Sequence, residues 1–207
     1  MPELSNTGVY QLKITLRGIS PLIWRRLLVR AETSLAELHD ILQLVLGWTN
    51  NHLHRFIIHG KEYGIAYGGG IGFDDDPRHI RLADFCFRLR ERFLYEYDFG
   101  NRWQHDLRVE QVLEAEGKRV YPVCTDGKRA APPEECGGAE MYLAQWRHWK
   151  YDFLCHRLQD GVGNRKRECF TDGEDEEIPA TGYDPDHFDR RQVNTQLRRW
   201  VARGGQS

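Results

Sequence analysis

Two runs of alternating aromatic and apolar residues, separated by a glycine turn, constrain the fold of this chain more than any other feature. Residues 93–99 carry Phe, Tyr, Tyr and Phe at every second position, and residues 103–109 continue with Trp, His, Leu and Val. Successive strand side chains point to opposite faces, so each run predicts a strand with one buried face. Gly100-Asn101 predicts a hairpin turn between them, in which we expect Asp98 to cap the backbone and Gly100 to have a positive φ.

The first half of the chain adds an antiparallel pair, a helix and a further strand. Residues 10–16 and 23–29 alternate around a turn and predict two paired strands, which places Arg25 and Arg26 on opposite faces. Residues 34–37 read Ser-Leu-Ala-Glu, a capping box that predicts a helix ending near residue 47, where glycine follows an apolar stripe. Residues 52–59 predict a third strand.

The remaining segments predict loops and helices. We therefore expect an α+β fold with a mainly antiparallel sheet, helices packed on one face and a helical C-terminal extension. The chain is predicted to be a single domain over residues 1–207, with a core at about 8–145 and a helical and acidic-loop extension at about 146–203. The predicted segments are a Gly- and Asp-rich loop at 64–79, a short helix at 82–87, an irregular loop at 122–138, a helix at 142–158, an acidic loop at 172–177 and a terminal helical region opened by Asp184-Pro185.

Composition narrows the location and the partners of the chain. The net charge of -2 gives no global attraction to nucleic acid or to acidic membranes, so any basic surface is local. No secretory signal or membrane span is predicted, and we expect a cytoplasmic protein. The cysteines are odd in number and contain no Cys-x-x-Cys pair, which favours reduced thiols. They are Cys86, Cys124, Cys136, Cys155 and Cys169.

Several spaced motifs carry a family resemblance. Together they resemble the Ri-plasmid ORF-three-like family, also called the insertion-element passenger TnpR family, over about residues 10–200. The resemblance implies a compact α+β fold and an association with plasmids and insertion elements. The motifs are Ile23-Trp-Arg-Arg26, Leu46-Gly-Trp48, His52-Leu-His54 with Phe56, Tyr97-Asp-Phe-Gly-Asn-x-Trp-x-His105, Cys124-x-Asp-Gly127, Pro132-Pro-Glu-Glu-Cys-Gly-Gly138 and Tyr183-Asp-Pro-x-x-Phe188 with Asn194 and Leu197.

Two sequence details limit what the resemblance implies. The TnpR name suggests a resolvase, but Ser20 lies in a predicted turn and Ser34 is a helix cap, so neither suits the nucleophile of a serine recombinase. The family pattern usually has Asp after Phe-Gly, where this chain has Asn101. That difference removes one anionic ligand and weakens a metal-dependent interpretation of the hairpin.

The hairpin and the third strand supply candidate metal ligands. His52 and His54 would share a face of one strand, and Asp98 with His105 would complete a set if the strands are neighbours. Imidazole and carboxylate suit zinc, iron or manganese, although strand histidines beside aromatic residues also serve as hydrogen-bonded structural groups. The candidate pocket consists of Trp24, Arg25, His52, His54, Tyr97, Asp98, Trp103 and His105.

The last third of the chain supplies a candidate partner surface. Its aromatic and basic residues have the chemistry to stack on bases and neutralise phosphates, or else to cover apolar surface and pair with the acidic loop. The surface residues are Trp149, Lys150, Arg190, Arg191, Arg198 and Arg199.

The leading hypothesis is a non-enzymatic interaction module that binds a protein or nucleic-acid partner. The alternative is a metal-dependent hydrolase, acting on phosphodiesters for instance, with His52, His54, Asp98 and His105 as ligands and Glu96 or Asp106 as base. No cofactor is predicted under the first hypothesis, and a divalent metal is required under the second.

Overall fold

The chain forms an antiparallel sheet with helices. The computed structural model describes residues 8–64, 75–161 and 183–205, with their side chains except those of residues 148 and 151–161. Seven strands pair in the order β4-β3-β5-β6-β1-β2-β7, every pair antiparallel. In chain order the elements are β1 (Gly8–Leu16), β2 (Trp24–Arg30), α1 (Leu35–Leu46), β3 (His54–Ile58), β4 (Lys61–Gly64), a 3₁₀ turn (Leu82–Phe85), β5 (Arg92–Tyr97), β6 (Trp103–Glu114), β7 (Val123–Lys128), α2 (Gly138–Gly161) and α3 (Arg190–Ala202).

The sheet has two unlike faces. The core face carries Leu12 and Ile14 of β1, both buried, whereas the open face carries Gln11, Lys13 and Thr15, which are half-buried. Residues that pair directly across strands share a face, so the registers extend each face over the whole sheet. An apolar face that needs cover and a polar face that does not are typical of antiparallel sheets.

Helix α1 supplies the main cover of the core face. Ser34 caps its N-terminus by accepting the Glu37 N–H at 3.1 Å, and the Glu37 carboxylate accepts the Ser34 N–H at 2.7 Å. Gly47 ends the helix in the left-handed region at φ 76°. Helix α3 packs against α1 and β7, and apolar residues of all three helices join the core cluster on this face. The predicted α+β fold with helices on one face is therefore confirmed.

The structure differs from the sequence expectations at several element boundaries. The third strand, predicted at 52–59, is β3 and leaves His52 outside it; the terminal helical region, predicted from Asp184, begins at Arg190 after the cap Asp189. The segment 122–138, predicted to be an irregular loop, contains the edge strand β7. The sequence did not predict this strand because it includes Asp126 and Gly127, residue types that are rare in strands.

Parts of the sequence interpretation fall outside the residues that the structure describes. They are most of the loop at 64–79, the acidic loop at 172–177, and the side chains of Cys155 and Cys169. Among the helices that are described, none has both the length and the apolar character needed to cross a membrane.

Candidate functional site

The carboxylate of Asp98 organises the β5–β6 turn. Its Oδ1 accepts the N–H groups of Gly100 at 3.0 Å and Asn101 at 3.3 Å, and its Oδ2 accepts the Asn101 side-chain amide at 2.7 Å. The expected turn cap is therefore confirmed. The positive φ angles fall at Asp98 (55°) and Arg102 (53°), so the expectation of a positive φ at Gly100 is wrong. Asp tolerates this region because its short side chain bonds the local backbone.

Residue Glu134, from the loop between β7 and α2, is bound by the hairpin and by the end of α1. Its carboxylate accepts the Tyr97 hydroxyl and, at 2.7 Å each, the backbone N–H and the hydroxyl of Thr49. The Trp103 indole donates to the Glu134 carbonyl at 3.0 Å. Burial, together with the Glu134 carboxylate, raises the pKa of Tyr97 well above its ordinary value. Tyr97 and Trp103 thus act as attachments for this loop.

Two further aromatic side chains bind the same loop through its backbone carbonyls. The Trp48 indole donates to the Pro132 carbonyl at 2.9 Å, and the Tyr183 hydroxyl donates to the Ala131 carbonyl at 2.9 Å. Residues 131–134, which we call the carbonyl loop, are therefore held by aromatic donors from different parts of the fold.

His52 lies at the rim of this corner, on the loop before β3. Its Nε2 is 2.8 Å from Glu135 Oε1, and its Nδ1 is 3.9 Å from Asp98 Oδ1. Its backbone N–H donates to the Tyr97 hydroxyl at 3.2 Å. The hydrogen bond with Glu135, helped by the charge of Asp98, raises the pKa of His52.

His54 and His105 are part of the core instead. The His54 ring stacks on the His39 ring with centroids 3.4 Å apart and planes 6° apart. His105 is fully buried beside the rings of Trp48 and Tyr95. Burial lowers the pKa of His54 to about 2 and that of His105 to about 3, so both rings are neutral in the folded protein.

The predicted four-ligand metal set does not converge. Only His52 and Asp98 approach each other. His54 faces the core because it pairs with the buried Tyr97 across β3 and β5, and His105 is enclosed by aromatic rings. Among the described residues, one group of three metal-ligating side chains has its donor atoms within 4.8 Å of one another: His52, Asp98 and Glu135. Glu135 was not among the predicted ligands, although it adjoins Glu134 in the Pro-Pro-Glu-Glu motif.

The candidate pocket also fails to form one cavity, because Arg25 and Trp24 point to opposite faces. Arg25 is 2% exposed and donates to the carbonyls of Val45 at 3.2 Å and Lys128 at 3.1 Å, beneath the Phe188 ring. Burial lowers its pKa to about 10. Two surface cavities, of about 900 and 380 Å³, involve none of the candidate pocket residues.

The two proposed bases belong to the open face and are used in ion pairs. Glu96 binds Arg55 at 2.5 Å, and Asp106 binds Arg17 at 2.7 Å. The sheet separates both from His105, so the residues of the hydrolase hypothesis are divided between two faces.

The predicted helical partner surface is only partly available. Trp149 is 2% exposed and packs against the rings of Tyr142 and Tyr183, so it has no free face for a base. Lys150 is paired with Asp186 at 2.8 Å. Trp149 and Tyr142 lie on the side of α2 that joins the core, which the basic residues around them in the sequence do not reveal.

The arginines of α3 differ among themselves. Arg190 donates to the Thr125 carbonyl of β7 at 2.6 Å. The others are exposed and take part in none of the ion pairs found among the described residues: Arg191, Arg198 and Arg199.

The open face contains a feature that sequence analysis missed. Arg92 of β5 pairs directly with Arg108 of β6, Arg108 with Lys13 of β1, and Lys13 with Arg26 of β2. These four cations, which we call the cationic row, cross four adjacent strands. The alternation of side chains along each strand predicts which of its residues lie on this face. It does not predict the order and register of the strands, and these bring the four cations into one row.

Trp24 and the nearby carboxylates complete the surroundings of the row. The Trp24 ring lies 4.9 Å from Lys13 Nζ and 5.1 Å from the Arg26 guanidinium carbon. Arg26 is paired with Glu110 at 2.6 Å and Asp126 at 3.3 Å. None of the ion pairs within the described parts of the chain involves Arg92, Arg108 or Lys13.

Comparison with known proteins gives a consistent result for the whole fold. An uncharacterized protein of Sinorhizobium fredii, y4hQ, is 31% identical over 165 residues, which cover 78% of each chain. The crystal structure of MM3350 from Methanosarcina mazei, a protein of unknown function, matches with a TM-score of 0.69 at 32% identity, over 90% of this chain and 96% of that one. The model of the plasmid pRiA4b ORF-3-like proteins matches residues 8–192. This chain therefore belongs to the plasmid pRiA4b ORF-3-like protein family.

Proposed function

We propose that the protein is a non-enzymatic interaction module that binds the phosphate backbone of a nucleic-acid strand with the open face of its sheet. The observation that carries this proposal is the cationic row, formed by Arg92, Arg108, Lys13 and Arg26 in direct register. Association with plasmids and insertion elements, which the family resemblance implies, fits a protein that meets nucleic acid.

The row is costly for an isolated fold. Like charges directly opposite each other on neighbouring strands destabilise a sheet, each pair by a few tenths of a kcal/mol up to about 1 kcal/mol. Three such pairs follow one another here. Arg26 is paired with Glu110 and Asp126 and Lys13 is attracted to Glu110, whereas none of the ion pairs among the described residues involves Arg92 or Arg108. A bound polyanion turns this repulsion into a net attraction, because each cation then contacts a phosphate.

The dimensions of the row suit an extended strand. Neighbouring strands lie roughly 4.8 Å apart, so four positions span about 14 Å, the length of a few nucleotides. Trp24 lies beside the row between Lys13 and Arg26, where an aromatic edge or face contacts a base. Single-stranded nucleic acid is the favoured partner, because the open face presents cations and an aromatic side chain together.

The hydrolase alternative has weaker support. Its four candidate ligands do not meet, since His54 and His105 are enclosed in the core as neutral rings. Its two candidate bases form ion pairs on the opposite face. The accessible charges of the cationic row therefore support binding better than they support catalysis.

The test is a salt-dependent titration with labelled single-stranded DNA, single-stranded RNA and duplex DNA, measured by fluorescence anisotropy. We expect the affinity to fall steeply with salt, and the double variant Lys13→Gln/Arg108→Gln to lower the slope of log affinity against log salt by about 2, one for each lost phosphate contact. The single-stranded probes should bind more tightly than the duplex.

A charge-matched control separates this surface from the predicted helical one. The double variant Arg191→Gln/Arg198→Gln removes the same charge from α3 and should leave the slope unchanged. The opposite result would assign binding to α3 and overturn the role of the open face. Absence of binding to every probe at low salt would reject nucleic acid and leave an acidic protein as the partner.

A further inference from the structure

We infer that His52, Asp98 and Glu135 form a binding site for one divalent cation of the zinc type, at the corner where three loops meet. This site is separate from the cationic row and does not depend on nucleic-acid binding. It differs from the four-ligand set expected from the sequence, because Glu135 takes the place of two histidines that are buried in the core.

The donor atoms have the right types and are close together. One atom from each of the three side chains lies within 4.8 Å of the other two. His52 already approaches both carboxylates, with Nε2 at 2.8 Å from Glu135 and Nδ1 at 3.9 Å from Asp98. Zinc binds imidazole nitrogen and carboxylate oxygen at about 2.0–2.2 Å, and three protein ligands with an open position are a common zinc geometry. The two short contacts use different nitrogens of the His52 ring, and only one nitrogen can bind a given ion. Binding therefore requires the side chains of His52 and of the exposed Glu135 to rotate until one ring nitrogen and one carboxylate oxygen face the same ion as Asp98.

Charge at the corner favours a cation. Three carboxylates lie at the corner with one imidazole. Glu135 and Asp98 lie 2.8 and 3.9 Å from the His52 ring nitrogens, and Glu134 accepts the Tyr97 hydroxyl that contacts the His52 backbone. Asp98 is 6% exposed and Glu134 is 9% exposed. Within the described residues none of the three pairs with a lysine or arginine. Buried carboxylates are stabilised by a cation beside them.

The ligands are held in place by neighbours that do not themselves bind the cation. The Asn101 amide donates to Asp98 Oδ2 at 2.7 Å, which leaves the position of that carboxylate fixed. The Tyr97 hydroxyl accepts the His52 backbone N–H at 3.2 Å. Supports of this kind orient metal ligands and strengthen binding. The family usually has Asp at this position, a possible anionic ligand. Asn101 instead serves as a positioning residue for Asp98.

The experiment uses the full chain after treatment with a chelator. Zn²⁺ is titrated by isothermal calorimetry, and Co²⁺ by its visible absorption, which reports coordination by protein ligands. We expect one ion per chain, a higher melting temperature with Zn²⁺, and loss of both signals in His52→Ala and Glu135→Gln. Asn101→Ala should weaken binding by about tenfold while leaving one site, as expected when an orienting partner is lost.

The matched control is His59→Ala. His59 is also hydrogen-bonded to a carboxylate, that of Glu91, but the described residues place no second carboxylate in a group with it. Binding should be unchanged in this variant. Binding by His52→Ala at the strength of the unaltered protein, equal losses in both histidine variants, or no stoichiometric binding at all would each overturn the site. Circular dichroism of every variant without metal shows whether it is folded.

Discussion

Neighbouring residues of β6 meet two different environments. His105, on the core face, is fully buried among aromatic rings and is held neutral, whereas Asp106, on the open face, is partly exposed and paired with Arg17 at 2.7 Å. The same contrast extends across the sheet: the core face is closed by the helices, and the open face carries the cationic row. Polar residues of the core face are therefore enclosed by the fold, whereas those of the open face are either ion-paired, as Glu96 is with Arg55, or available to a partner, as in the cationic row.

The contrast also changes the meaning of the sequence motifs. Tyr97, Trp103 and His105, from the most distinctive motif, all lie on the core face or in contact with the loop that closes it. The residues of the cationic row other than Arg26 lie outside the motifs on which the resemblance rests. The motifs are therefore mainly a description of how this fold is held together.

Acid should produce the largest difference between the two faces. Burial lowers the pKa of His39 to about 4, His54 to about 2 and His105 to about 3. An unfolded chain takes up these protons below about pH 6.5, so the stability that the neutral rings give is complete above that pH. It is lost progressively as the pH falls from there through the folded pKa of each ring. Each ring then contributes a loss of about 1 kcal/mol per pH unit.

The measurement is the urea midpoint, followed by circular dichroism, between about pH 8 and 4. On the open face the hydrogen bond with Arg26 lowers the pKa of Glu110, so that ion pair is lost only at lower pH, below about 4.5. About 1 M salt should screen the exposed pairs and leave the histidine-dependent loss in place. A flat stability between about pH 7 and 5 would contradict the assignment of buried neutral histidines.

Replacing a tryptophan with alanine should destabilise the protein more on the core face than on the open face. Trp103→Ala empties a fully buried position and removes the hydrogen bond to the Glu134 carbonyl, so we expect a loss of about 3–5 kcal/mol. Trp24→Ala, on the open face, should cost about 1 kcal/mol because its ring is half-buried. Chemical unfolding of the two variants gives both values, and equal costs would mean that the open face is also packed.

Adjacent carboxylates of the loop provide a smaller and closely matched comparison. Glu134→Gln places an amide against three donors, those of Tyr97 and Thr49, and should cost about 1–3 kcal/mol. Glu135→Gln, in buffer free of metal, should change the free energy of unfolding by less than about 0.5 kcal/mol because Glu135 is exposed. Thermal unfolding of both variants measures the difference, and reversed costs would contradict the role of Glu134.

The smallest effect has the opposite sign. Arg108→Thr removes the centre of the cationic row and introduces a strand-favouring residue, so we expect the free energy of unfolding to rise by about 0.5 kcal/mol. Arg55→Thr is the control, since Arg55 faces Glu96 across β3 and β5 and its loss should destabilise. Stabilisation by the first variant together with weaker nucleic-acid binding would show that the row serves binding at the expense of the fold.

Local patterns in the sequence were sufficient for most of the fold. The aromatic alternation on either side of residue 100 gave β5 and β6, and the capping box at Ser34 with Gly47 gave both ends of α1. These signals are local, because side-chain period and capping chemistry involve residues a few positions apart. The edge strand β7 was not predicted, because it is stabilised by pairing with β2 and its own residues carry no strand pattern.

The candidate site was predicted less well, for a related reason. His52 and His54 are two positions apart, so their side chains would share a face if both were in the strand. β3 begins at His54, however, and His52 lies on the loop before it, so the two rings point to different places. Glu134 and Glu135 reach the hairpin only through a loop whose path depends on the whole fold. The cationic row requires β1 to lie between β2 and β6, which is a property of strand order. Residue types suggested the chemistry, and tertiary contacts decided where it occurs.

The carbonyl loop has a consequence for how this family can diversify. Trp48, Trp103 and Tyr183 hold it by main-chain oxygens, which every amino acid possesses. These hydrogen bonds therefore survive a change of side chain at residues 131 and 132, provided that the three donors stay in place. What limits substitution there is packing instead, because Ala131 packs against the core and Pro132 is buried. The family can therefore vary these two positions among side chains of similar size without losing the contacts that hold the loop.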